Sequence, residues 1–353
     1  MIEERPIATS KEYISTIVWE DHFQIENIGC EPKRKMLAVV DSKVKWLWKK
    51  AGADISKIPV FYFDQPSENL KSFKTVQSVL KFLFKNEADR GSVLVAVGGG
   101  VTLDVAGFAA SIFKRGIEWI AVPTTLLAQV DASVGGKTAI NYPAGKNSIG
   151  TFYPPSKVII SPDCANTWTD VHKLEGRAEM FKIFVCFDHE AKDQLVADPN
   201  ESTLTNRSIE IKAKVVDCDP WENHLRAALN YGHTIGHALE LELGMAHGLS
   251  VALGIRIENA VANRMGIMKK RRMKQIESEL DGLGFPIRSE WPAFENLLPY
   301  LRQDKKNVRG DIMLCLPDGE TAWLIEPRDP RTKVSEEILK SVYESYISST
   351  SRA

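Results

Sequence analysis

Short apolar runs alternate with amphipathic stretches through the first half of the chain. The apolar runs are strand-like and end where polar or small residues begin, as at Asp41 and Pro123. The intervening stretches repeat their apolar residues at helical spacing. This alternation predicts a Rossmann-like, parallel α/β sheet with ligands at the carboxyl ends of its strands. The predicted strands are residues 35–40, 60–63, 92–97 and 119–122, and the clearest helices are 74–85 and 104–113.

The pattern changes after about residue 163. Long helical stretches replace the alternation of strands and helices. We therefore place a domain boundary near residues 160–168, with an α/β nucleotide-binding domain at 1–163 and a mostly α-helical domain at 164–353. The predicted helices are 173–187, 201–216, 225–243, 249–265 and 269–283.

Composition and charge narrow the class of protein. The 353 residues are 44% hydrophobic and 26% charged, which is typical of a globular chain with two domains. A net charge of −1 provides no global positive field, so nucleic acid is not an expected partner. No apolar run approaches the roughly 20 residues of a membrane span, and residues 1–10 carry no signal-peptide core. The five cysteines form no CxxC pair, so a reducing, cytoplasmic location is expected.

A glycine-rich loop follows the third predicted strand. Gly98, Gly99 and Gly100 stand between an apolar run and a helical stretch, where backbone N–H groups can approach a pyrophosphate closely. Leu103 occupies the position of the third glycine of a GxGxxG pattern, so a plain strand-to-helix turn is the alternative. The loop predicts a nucleotide site.

Three charged residues near strand ends are candidates for nucleotide contacts. Asp41 ends the first predicted strand, where a carboxylate can accept hydrogen bonds from a ribose. Glu68 and Lys71 lie in the loop after the second strand. Each of the three is an ordinary surface charge in the alternative interpretation.

A lysine-rich segment at 131–147 is the second candidate for phosphate binding. Lys137, Lys146 and Asn147 lie among glycines and small residues, and ammonium groups beside exposed backbone suit a phosphate monoester. The segment lacks the GxxxxGK[ST] spacing, which argues against a nucleoside triphosphatase. A flexible basic loop is the alternative.

Three sequence motifs in the second half contain candidate metal ligands. The candidates are Glu179 in an AExxK motif, His233 and His237 in a GHxxxH motif, and His247 before a glycine. His233 and His237 are one helical turn apart, so both can face one side. Imidazole and carboxylate suit zinc or another first-row divalent ion, and three protein ligands with an open position mark a catalytic site. Spacing alone does not decide which of the two histidines pairs with Glu179.

These loops and motifs together resemble those of the dehydroquinate synthase family, within the sugar-phosphate cyclases. The motifs are VGGGVTLD at 97–104, GGKTA at 135–139, GRAEMFK at 176–182 and NYGHTIGH at 230–237. The resemblance extends from about Asp41 to Lys306. It implies NAD and a divalent metal, zinc or cobalt, as cofactors. It also implies a homodimer with the active site in a cleft between the two domains.

The resemblance implies a role for individual residues in binding the cofactors. Glu179, His233 and His247 would hold the metal, while His237 would face the substrate phosphate. NAD would contact Asp41, Glu68, Lys71, Gly99, Gly100, Val101, Asp104, Thr124, Thr125, Leu127, Lys146 and Thr167.

The resemblance also implies how the substrate is held. Its hydroxyls would contact Asp131, Lys182 and Lys212, and its carboxylate would pair with Arg226 and Lys212. Its phosphate would contact Lys137, Asn147, Asn230, His237 and a lysine of the pair Lys305 and Lys306. Arg115 would reach the same phosphate from the neighbouring subunit.

The reaction implied converts 3-deoxy-D-arabino-heptulosonate 7-phosphate to 3-dehydroquinate and phosphate, a lyase step of the shikimate pathway to aromatic amino acids. It proceeds through oxidation at C5, elimination of phosphate, reduction and aldol closure, so NAD is regenerated. Thr102 and Leu103, and Asn223 and His224, depart from the usual family pattern. These departures leave open another cyclase, acting on an amino analogue or on sedoheptulose 7-phosphate. A metal-dependent polyol dehydrogenase and a non-catalytic binding protein are further alternatives.

Overall fold

The structure is a computed structural model that describes residues 14–28, 34–142, 145–199, 202–288, 290–303, 311–326 and 328–350. The strands are β1 (Thr16–Trp19), β2 (Met36–Asp41), β3 (Val60–Phe63), β4 (Val93–Gly98), β5 (Glu118–Pro123), β6 (Lys137–Tyr142), β7 (Gly145–Phe152), β8 (Lys157–Ile160), β9 (Ile312–Cys315) and β10 (Arg331–Val334). The helices are α1 (Lys45–Lys50), α2 (Phe73–Lys85), α3 (Gly100–Ile112), α4 (Asp170–Phe187), α5 (His189–Ala197), α6 (Ser202–Cys218), α7 (His233–Leu243), α8 (His247–Arg264), α9 (Lys270–Gly282), α10 (Phe294–Gln303) and α11 (Glu336–Thr350).

Six strands form one parallel sheet in the order β1-β8-β5-β4-β2-β3, which confirms the predicted α/β fold. The chain leaves β2 outward toward β3, and then leaves β4 in the other direction toward β5 and β8. The topological switch point therefore lies between β2 and β4. Open parallel sheets bind ligands beside such a point, at the carboxyl ends of the strands.

The central strands are apolar because the sheet is covered on both faces. All six residues of β4 are buried. Along β2, Leu37 and Val39 belong to a large core, while Ala38 and Val40 belong to a smaller core on the opposite face. The large core continues into α4, α7 and α8, so the sheet and the helical half share one hydrophobic interior.

Lys137, Lys146 and Asn147 of the lysine-rich segment lie on an antiparallel hairpin of β6 and β7, so the alternative of a flexible basic loop is wrong for these residues. Thr138 and Ile140 are buried, while Lys137, Ala139 and Asn141 between and beside them are more exposed. This alternation is the signal of a half-buried strand. The hairpin places Lys137 and Lys146 on regular backbone beside α3.

The predicted helix at 225–243 is two elements, and the prediction of one helix is wrong. A 3₁₀ turn at Leu225–Asn230 precedes α7. Gly232 separates them with a φ of +79°, a left-handed conformation that favours glycine. A Cβ at Gly232 would also lie 2.9 Å from the carbonyl oxygen of Val251 in α8. The break places His233 in the first turn of α7, against α8.

The other four predicted helices of the second half correspond to α4, α6, α8 and α9, whereas α5, α10 and α11 were not predicted. α4 begins after Thr169, whose side chain accepts a hydrogen bond from the backbone N–H of His172 in a capping box. α8 lies at the centre of this half, and thirteen of its residues are buried. None of the helices in the described part of the chain is long and apolar enough to cross a membrane.

Candidate active site

Four side chains from three helices converge in the helical half. Glu179 lies in the middle of α4, His233 and His237 lie in the first turns of α7, and His247 begins α8. Nε2 of His233 is 3.2 Å from Oε1 of Glu179, and Nε2 of His247 is 3.5 Å from the same oxygen. One ring nitrogen from each of the three histidines lies within 4.8 Å of the other two. The fold therefore brings all the predicted metal ligands to one point.

This donor set fits a divalent ion. Glu179 is fully buried, and its Oε1 accepts no hydrogen bond from any residue that the structure describes. A buried carboxylate oxygen needs a partner, and a cation shared with two imidazole nitrogens provides one. Carboxylate with imidazole is the ligand set of catalytic zinc sites and of other first-row ions.

Glu240 orients His247 and is a site residue that the sequence analysis missed. Its Oε2 lies 2.9 Å from Nδ1 of His247, and its Oε1 lies 2.5 Å from Nζ of Lys146. A carboxylate on the second ring nitrogen fixes the orientation of a metal-ligating imidazole. Glu240 follows His233 by two helical turns on one face of α7, so helical spacing contained the signal.

The two imidazoles nearest Glu179 have opposite pKa shifts. Burial and the ammonium group of Lys182 lower the pKa of His233 to about 4. Burial also opposes protonation of His247, but contacts with Glu179 and Glu240 outweigh it and raise the pKa of His247 to about 9. His233 is therefore neutral at pH 7, the state in which imidazole binds a metal.

Lys182 neutralises Glu179 from one turn further along α4. Its ammonium group contacts Oε2 of Glu179, and both side chains are buried. Burial alone would raise the pKa of Glu179, but the ammonium group of Lys182 holds that pKa well below its usual range. Glu179 is therefore a carboxylate.

Asp131 and Lys212 form a second ion pair next to this one. Asp131 lies in a π-helical turn at Ala128–Ala132, after β5, and Lys212 lies in α6. Nζ of Lys212 donates to the carbonyl oxygen of Asp131 at 2.6 Å and contacts its carboxylate. Burial opposes the ionised form of Asp131, but Lys212 outweighs it and lowers the pKa of Asp131, with Lys182 acting in the same sense. The three residues predicted to contact the substrate hydroxyls thus lie together.

Arg226 is buried behind the hairpin. Its Nη2 donates to the carbonyl oxygen of Gly135 at 2.8 Å, and its Nη1 donates to that of Pro220 at 2.5 Å. Gly135 has a φ of +107°, and a Cβ there would overlap the guanidinium. Burial lowers the pKa of Arg226 to about 10. The guanidinium remains a cation at neutral pH.

Lys137 and Asn230, both predicted to bind phosphate, meet at Glu222. The ammonium group of Lys137 contacts Oε2 of Glu222, and Nδ2 of Asn230 donates to Oε1 at 2.5 Å. The sequence analysis missed Glu222, which lies in a polar loop with no periodic pattern. The carboxylate of Glu222 therefore contacts Lys137 and Asn230, the two side chains that we predict to bind the substrate phosphate.

The predicted nucleotide contacts lie along the carboxyl edge of the sheet. Asp41 ends β2, the loop at Gly99 joins β4 to α3, and Thr124 follows β5. The backbone N–H of Thr124 donates to the carbonyl oxygen of Gly98 at 3.0 Å, which holds the two loops together. Burial raises the pKa of Asp41. The other predicted contacts in these loops are Gly100, Val101, Thr125 and Leu127.

Polar contacts fix the region between this edge and the hairpin. Nζ of Lys71 lies 2.6 Å from Oδ2 of Asp104 and also contacts Oδ1 of Asn147. Nδ2 of Asn141 donates to Oε1 of Glu68 at 2.9 Å. Asn147, predicted to bind phosphate, therefore lies beside the predicted nucleotide contacts.

Lys146 connects the nucleotide edge with the histidine cluster. Its Nζ lies 3.9 Å from Oε1 of Glu68 and 2.5 Å from Oε1 of Glu240, the residue that orients His247. Burial opposes the charge on Lys146, but Glu240 and Glu68 outweigh it and raise its pKa. The two groups of predicted residues thus border one continuous site.

Of the four remaining predicted residues, Arg115 lies apart from these contacts. Arg115 is exposed after α3, in a left-handed conformation with a φ of 69°. Thr167 ends a 3₁₀ turn at Pro162–Thr167, and its side chain is outside the description. Lys305 and Lys306 lie outside the described residues. Their roles stay predictions.

Two family models match the chain. The 3-dehydroquinate synthase N-terminal model matches residues 62–174, and the 3-dehydroquinate synthase C-terminal model matches residues 176–307. The 3-dehydroquinate synthase of Thermodesulfovibrio yellowstonii (strain ATCC 51303 / DSM 11347 / YP87) is 40% identical over 307 residues, which is 83% of this chain and 84% of that protein.

Solved structures of sugar-phosphate cyclases share the fold. A 2-deoxy-scyllo-inosose synthase complexed with carbaglucose-6-phosphate, NAD⁺ and Co²⁺ is 27% identical, with a TM-score of 0.81 over 93% of this chain and 96% of that chain. A 2-epi-5-epi-valiolone synthase from Streptomyces hygroscopicus subsp. jinggangensis 5008, with NAD⁺ and Zn²⁺ bound, has a TM-score of 0.84 over 98% of this chain and 100% of that chain. At 21% identity the second likeness is one of fold alone.

Proposed function

The chain belongs to the 3-dehydroquinate synthase family, and we propose that it converts 3-deoxy-D-arabino-heptulosonate 7-phosphate to 3-dehydroquinate with release of phosphate. The observation that carries the proposal is the convergence of Glu179, His233 and His247 beside the buried cations of Lys182 and Lys212. Curated relatives of about 40% identity favour this lyase activity over another cyclase or a polyol dehydrogenase.

The site suits NAD and a zinc or cobalt ion. Glu179, His233 and His247 would hold the ion, because their donor atoms converge on a buried oxygen without a hydrogen bond from the described residues. NAD would lie at the switch point between β2 and β4, with Asp41 at a ribose and the loop at Gly99 at the pyrophosphate. When bound, the ion would supply a Lewis acid for the C5 oxygen of the substrate, and NAD would supply a reversible hydride acceptor for C5.

Asp131, Lys182 and Lys212 would hold the substrate hydroxyls. A carboxylate accepts hydrogen bonds from hydroxyl groups, and ammonium groups donate to them. Both lysines are at least 95% buried, so their charges act in a site from which water is largely excluded. Lys182 would also keep Glu179 ionised, as a ligand must be.

The phosphate of the substrate would bind where Glu222 now contacts Lys137 and Asn230. A phosphate dianion offers more charge and more acceptor oxygens than one carboxylate, so it would displace Glu222 from both partners. His237, next to the metal ligands on α7, and Asn147, on the hairpin, would complete the protein's own contacts. Lys305 or Lys306 is the remaining member of this set.

Arg226 would bind the substrate carboxylate. Its guanidinium carries five N–H donors, and the contacts with Gly135 and Pro220 leave donors in the fork geometry that matches a carboxylate. A substrate without a carboxylate would leave this buried cation uncompensated. Arg226 would therefore select the acid over sedoheptulose 7-phosphate.

We extend the proposal to a homodimer in which Arg115 binds the phosphate in the neighbouring subunit. Arg115 is exposed, and large apolar side chains nearby are also exposed: Phe73 by 52%, Phe84 by 63% and Ile112 by 43%. A surface of this kind suits a protein partner.

Complementation tests the shared site. Arg115→Ala and His247→Ala chains are each expected to be inactive alone. Mixed dimers would contain one intact site if Arg115 acts across the interface, so random mixing restores about a quarter of wild-type activity. No recovery in mixtures shown to exchange subunits would place Arg115 in its own subunit's site or outside catalysis.

A domain boundary at residues 160–168 and a cytoplasmic location complete the proposal. β8 ends the sheet at Ile160, and α4 begins at Asp170. Four cysteines are free thiols, as in a reducing compartment: Cys164, Cys186, Cys218 and Cys315.

Phosphate release tests the proposed reaction. The purified protein with NAD and zinc or cobalt is offered 3-deoxy-D-arabino-heptulosonate 7-phosphate or sedoheptulose 7-phosphate. We expect release from the first substrate alone, without accumulation of NADH. Release from the second substrate, or net NADH formation, would contradict the assignment.

A further inference from the structure

A second group of cations follows the end of α8 that is opposite His247, and this helix is about 27 Å long. Four consecutive basic residues, 269–272, begin α9, whose first turn has no acidic residue and no side-chain cap. The free N–H groups of a helix N-terminus carry partial positive charge, so neighbouring cations are unfavourable there. A bound anion would offset this repulsion.

An open cleft of about 370 Å³ lies at this helix terminus, between α5, α9 and the segment at Gly319. Four lysines and arginines but only two carboxylates line it, which leaves an excess of positive charge. These residues are Lys192, Lys269, Arg271, Arg272, Asp193 and Glu320.

Both carboxylates of the cleft are already paired. Glu320 lies 2.8 Å from Nζ of Lys269, and Asp193 lies 2.7 Å from Nζ of Lys192. Lys192 has a further partner in Glu279, at 2.5 Å. The lysines are therefore neutralised within the protein, and the excess positive charge belongs to the two arginines.

The side chains of Arg271 and Arg272 make no salt bridge or hydrogen bond with other residues in the described ranges. Arg272 is only 9% exposed, and its Nε is buried beside Gly319 without a hydrogen-bond partner. A buried N–H group without an acceptor is costly, so a ligand that supplies an acceptor to Arg272 would stabilise this region. Arg272 is thus an independent sign of a ligand at this helix terminus.

We propose that the cleft is a second anion-binding site, which takes the phosphate group of a small molecule or inorganic phosphate itself. Arg271 and Arg272 present the planar donors that match phosphate oxygens, and the first N–H groups of α9 add further donors. The volume lies within the range of small-molecule sites, about 300–1,000 Å³. A concave site with a buried arginine suits a compact anion better than a nucleic acid or a membrane surface.

Calorimetric titration of the whole protein tests the proposal, with inorganic phosphate and glycerol 3-phosphate as probes at constant ionic strength. Arg271→Gln removes an exposed cation that lines the cleft. Lys270→Gln is the matched control, because it removes the same charge from the adjacent position, which does not line the cleft. Arg272→Lys keeps the charge but loses the planar donor set.

Wild type and Lys270→Gln are expected to bind phosphate in the cleft in addition to the active site. Arg271→Gln should weaken that binding about tenfold, as for the loss of a charge-assisted hydrogen bond. Arg272→Lys should weaken it as well. Tighter binding of glycerol 3-phosphate would identify a phosphate monoester as the ligand, and equal binding would identify the phosphate ion.

Identical isotherms for wild type, Arg271→Gln and Lys270→Gln would overturn the proposal. Binding to anionic phospholipid vesicles without binding of either probe would also overturn it, since the basic run would then be a membrane surface. Arg271→Gln and Lys270→Gln are both expected to keep wild-type turnover, because neither Arg271 nor Lys270 belongs to the active site.

Discussion

The two cation-rich regions of the molecule differ in how their charges are compensated. In the active site, lysines contact carboxylates within the protein: Lys182 with Glu179, Lys212 with Asp131, Lys137 with Glu222, Lys146 with Glu240 and Lys71 with Asp104. In the cleft at α9, the side chains of Arg271 and Arg272 have no such partner among the described residues. A substrate must therefore compete with internal carboxylates, whereas an anion in the cleft would meet arginines without carboxylate partners.

Burial explains the difference. Lys182 and Glu179 are almost wholly buried, and an isolated charge there would lose several kcal/mol of hydration. The paired state keeps both groups ionised before any ligand arrives. Arg271 is exposed and keeps its hydration, so it needs no internal partner. The ion pairs thus preorganise the active site. Variants that break individual contacts in this site should weaken metal or substrate binding to different extents.

The largest effect is expected from His247→Ala. The change removes one donor next to Oε1 of Glu179 and removes the contact of Glu240 with an imidazole, while its contact with Lys146 remains. We expect both metal retention and turnover to be abolished. Metal content after dialysis, measured by mass spectrometry, and phosphate release check this together.

His22→Ala is the matched control for that variant, since it removes an exposed imidazole that contacts Asp163 and is not one of the clustered histidines. It should retain metal and activity. Full activity of His247→Ala in metal-free buffer would remove the metal assignment.

The parallel sheet was predictable because its physical signal is local. β4 is a continuous apolar run between polar residues, which follows from burial on both faces of the sheet. The hairpin was not predicted, because lysines and glycines interrupt the alternation that Thr138 and Ile140 carry. The break before α7 depends on the close approach of Gly232 to α8, a tertiary contact that helical periodicity does not report.

The candidate site shows the same limit. The histidines and Glu179 belong to recognisable sequence motifs, and the resemblance to the dehydroquinate synthase family implied their roles. Glu222 and Glu240 act by contacting other side chains, and such pairing depends on the folded positions of separate segments. Arg272 is a further case, because its sequence context is that of a solvated basic run, whereas the structure buries it.

A large effect on substrate choice is expected from Arg226→Ala. The buried guanidinium is the cation that we assign to the substrate carboxylate, and a pair of charge-assisted hydrogen bonds corresponds to about a 100-fold change in affinity. The value of kcat/KM for 3-deoxy-D-arabino-heptulosonate 7-phosphate should therefore fall about 100-fold further than that for sedoheptulose 7-phosphate. If the latter activity is below detection, competitive inhibition by each compound gives the same comparison.

Arg226→Lys is the control for the contacts of Arg226 with Gly135 and Pro220. It keeps the positive charge and should lose less than Arg226→Ala. Equal losses of kcat/KM, or of inhibition, toward both compounds would show that Arg226 supports the hairpin and does not bind the substrate carboxylate. Thermal melting of each variant would measure that structural role.

A moderate effect is expected from Glu240→Gln. The amide no longer offers a carboxylate to His247 and Lys146, and the loss of such a partner typically weakens metal binding about 10- to 100-fold. Competition with a chelator measures the affinity directly. Glu242→Gln is the matched control, because it neutralises a carboxylate on the same helix that contacts Asn296 instead. Equal metal affinities for the two variants would exclude Glu240 as a positioning residue.

The smallest effect is expected from Glu222→Gln, and it tests the competition between internal carboxylate and substrate phosphate. Glu222 has a φ of 61°, a strained backbone conformation for a residue other than glycine, while its carboxylate contacts Lys137 and Asn230. The amide has similar shape but no charge, so it competes less with an anion for the ammonium group of Lys137. Inorganic phosphate should then bind the active site a few-fold more tightly, which is the range of a single partly exposed ion pair. The titration is best made in an Arg271→Gln background, where the cleft at α9 contributes least. Weaker phosphate binding there would mean that Glu222 supports the phosphate site, and that pairing in the active site orders its cations without opposing the substrate.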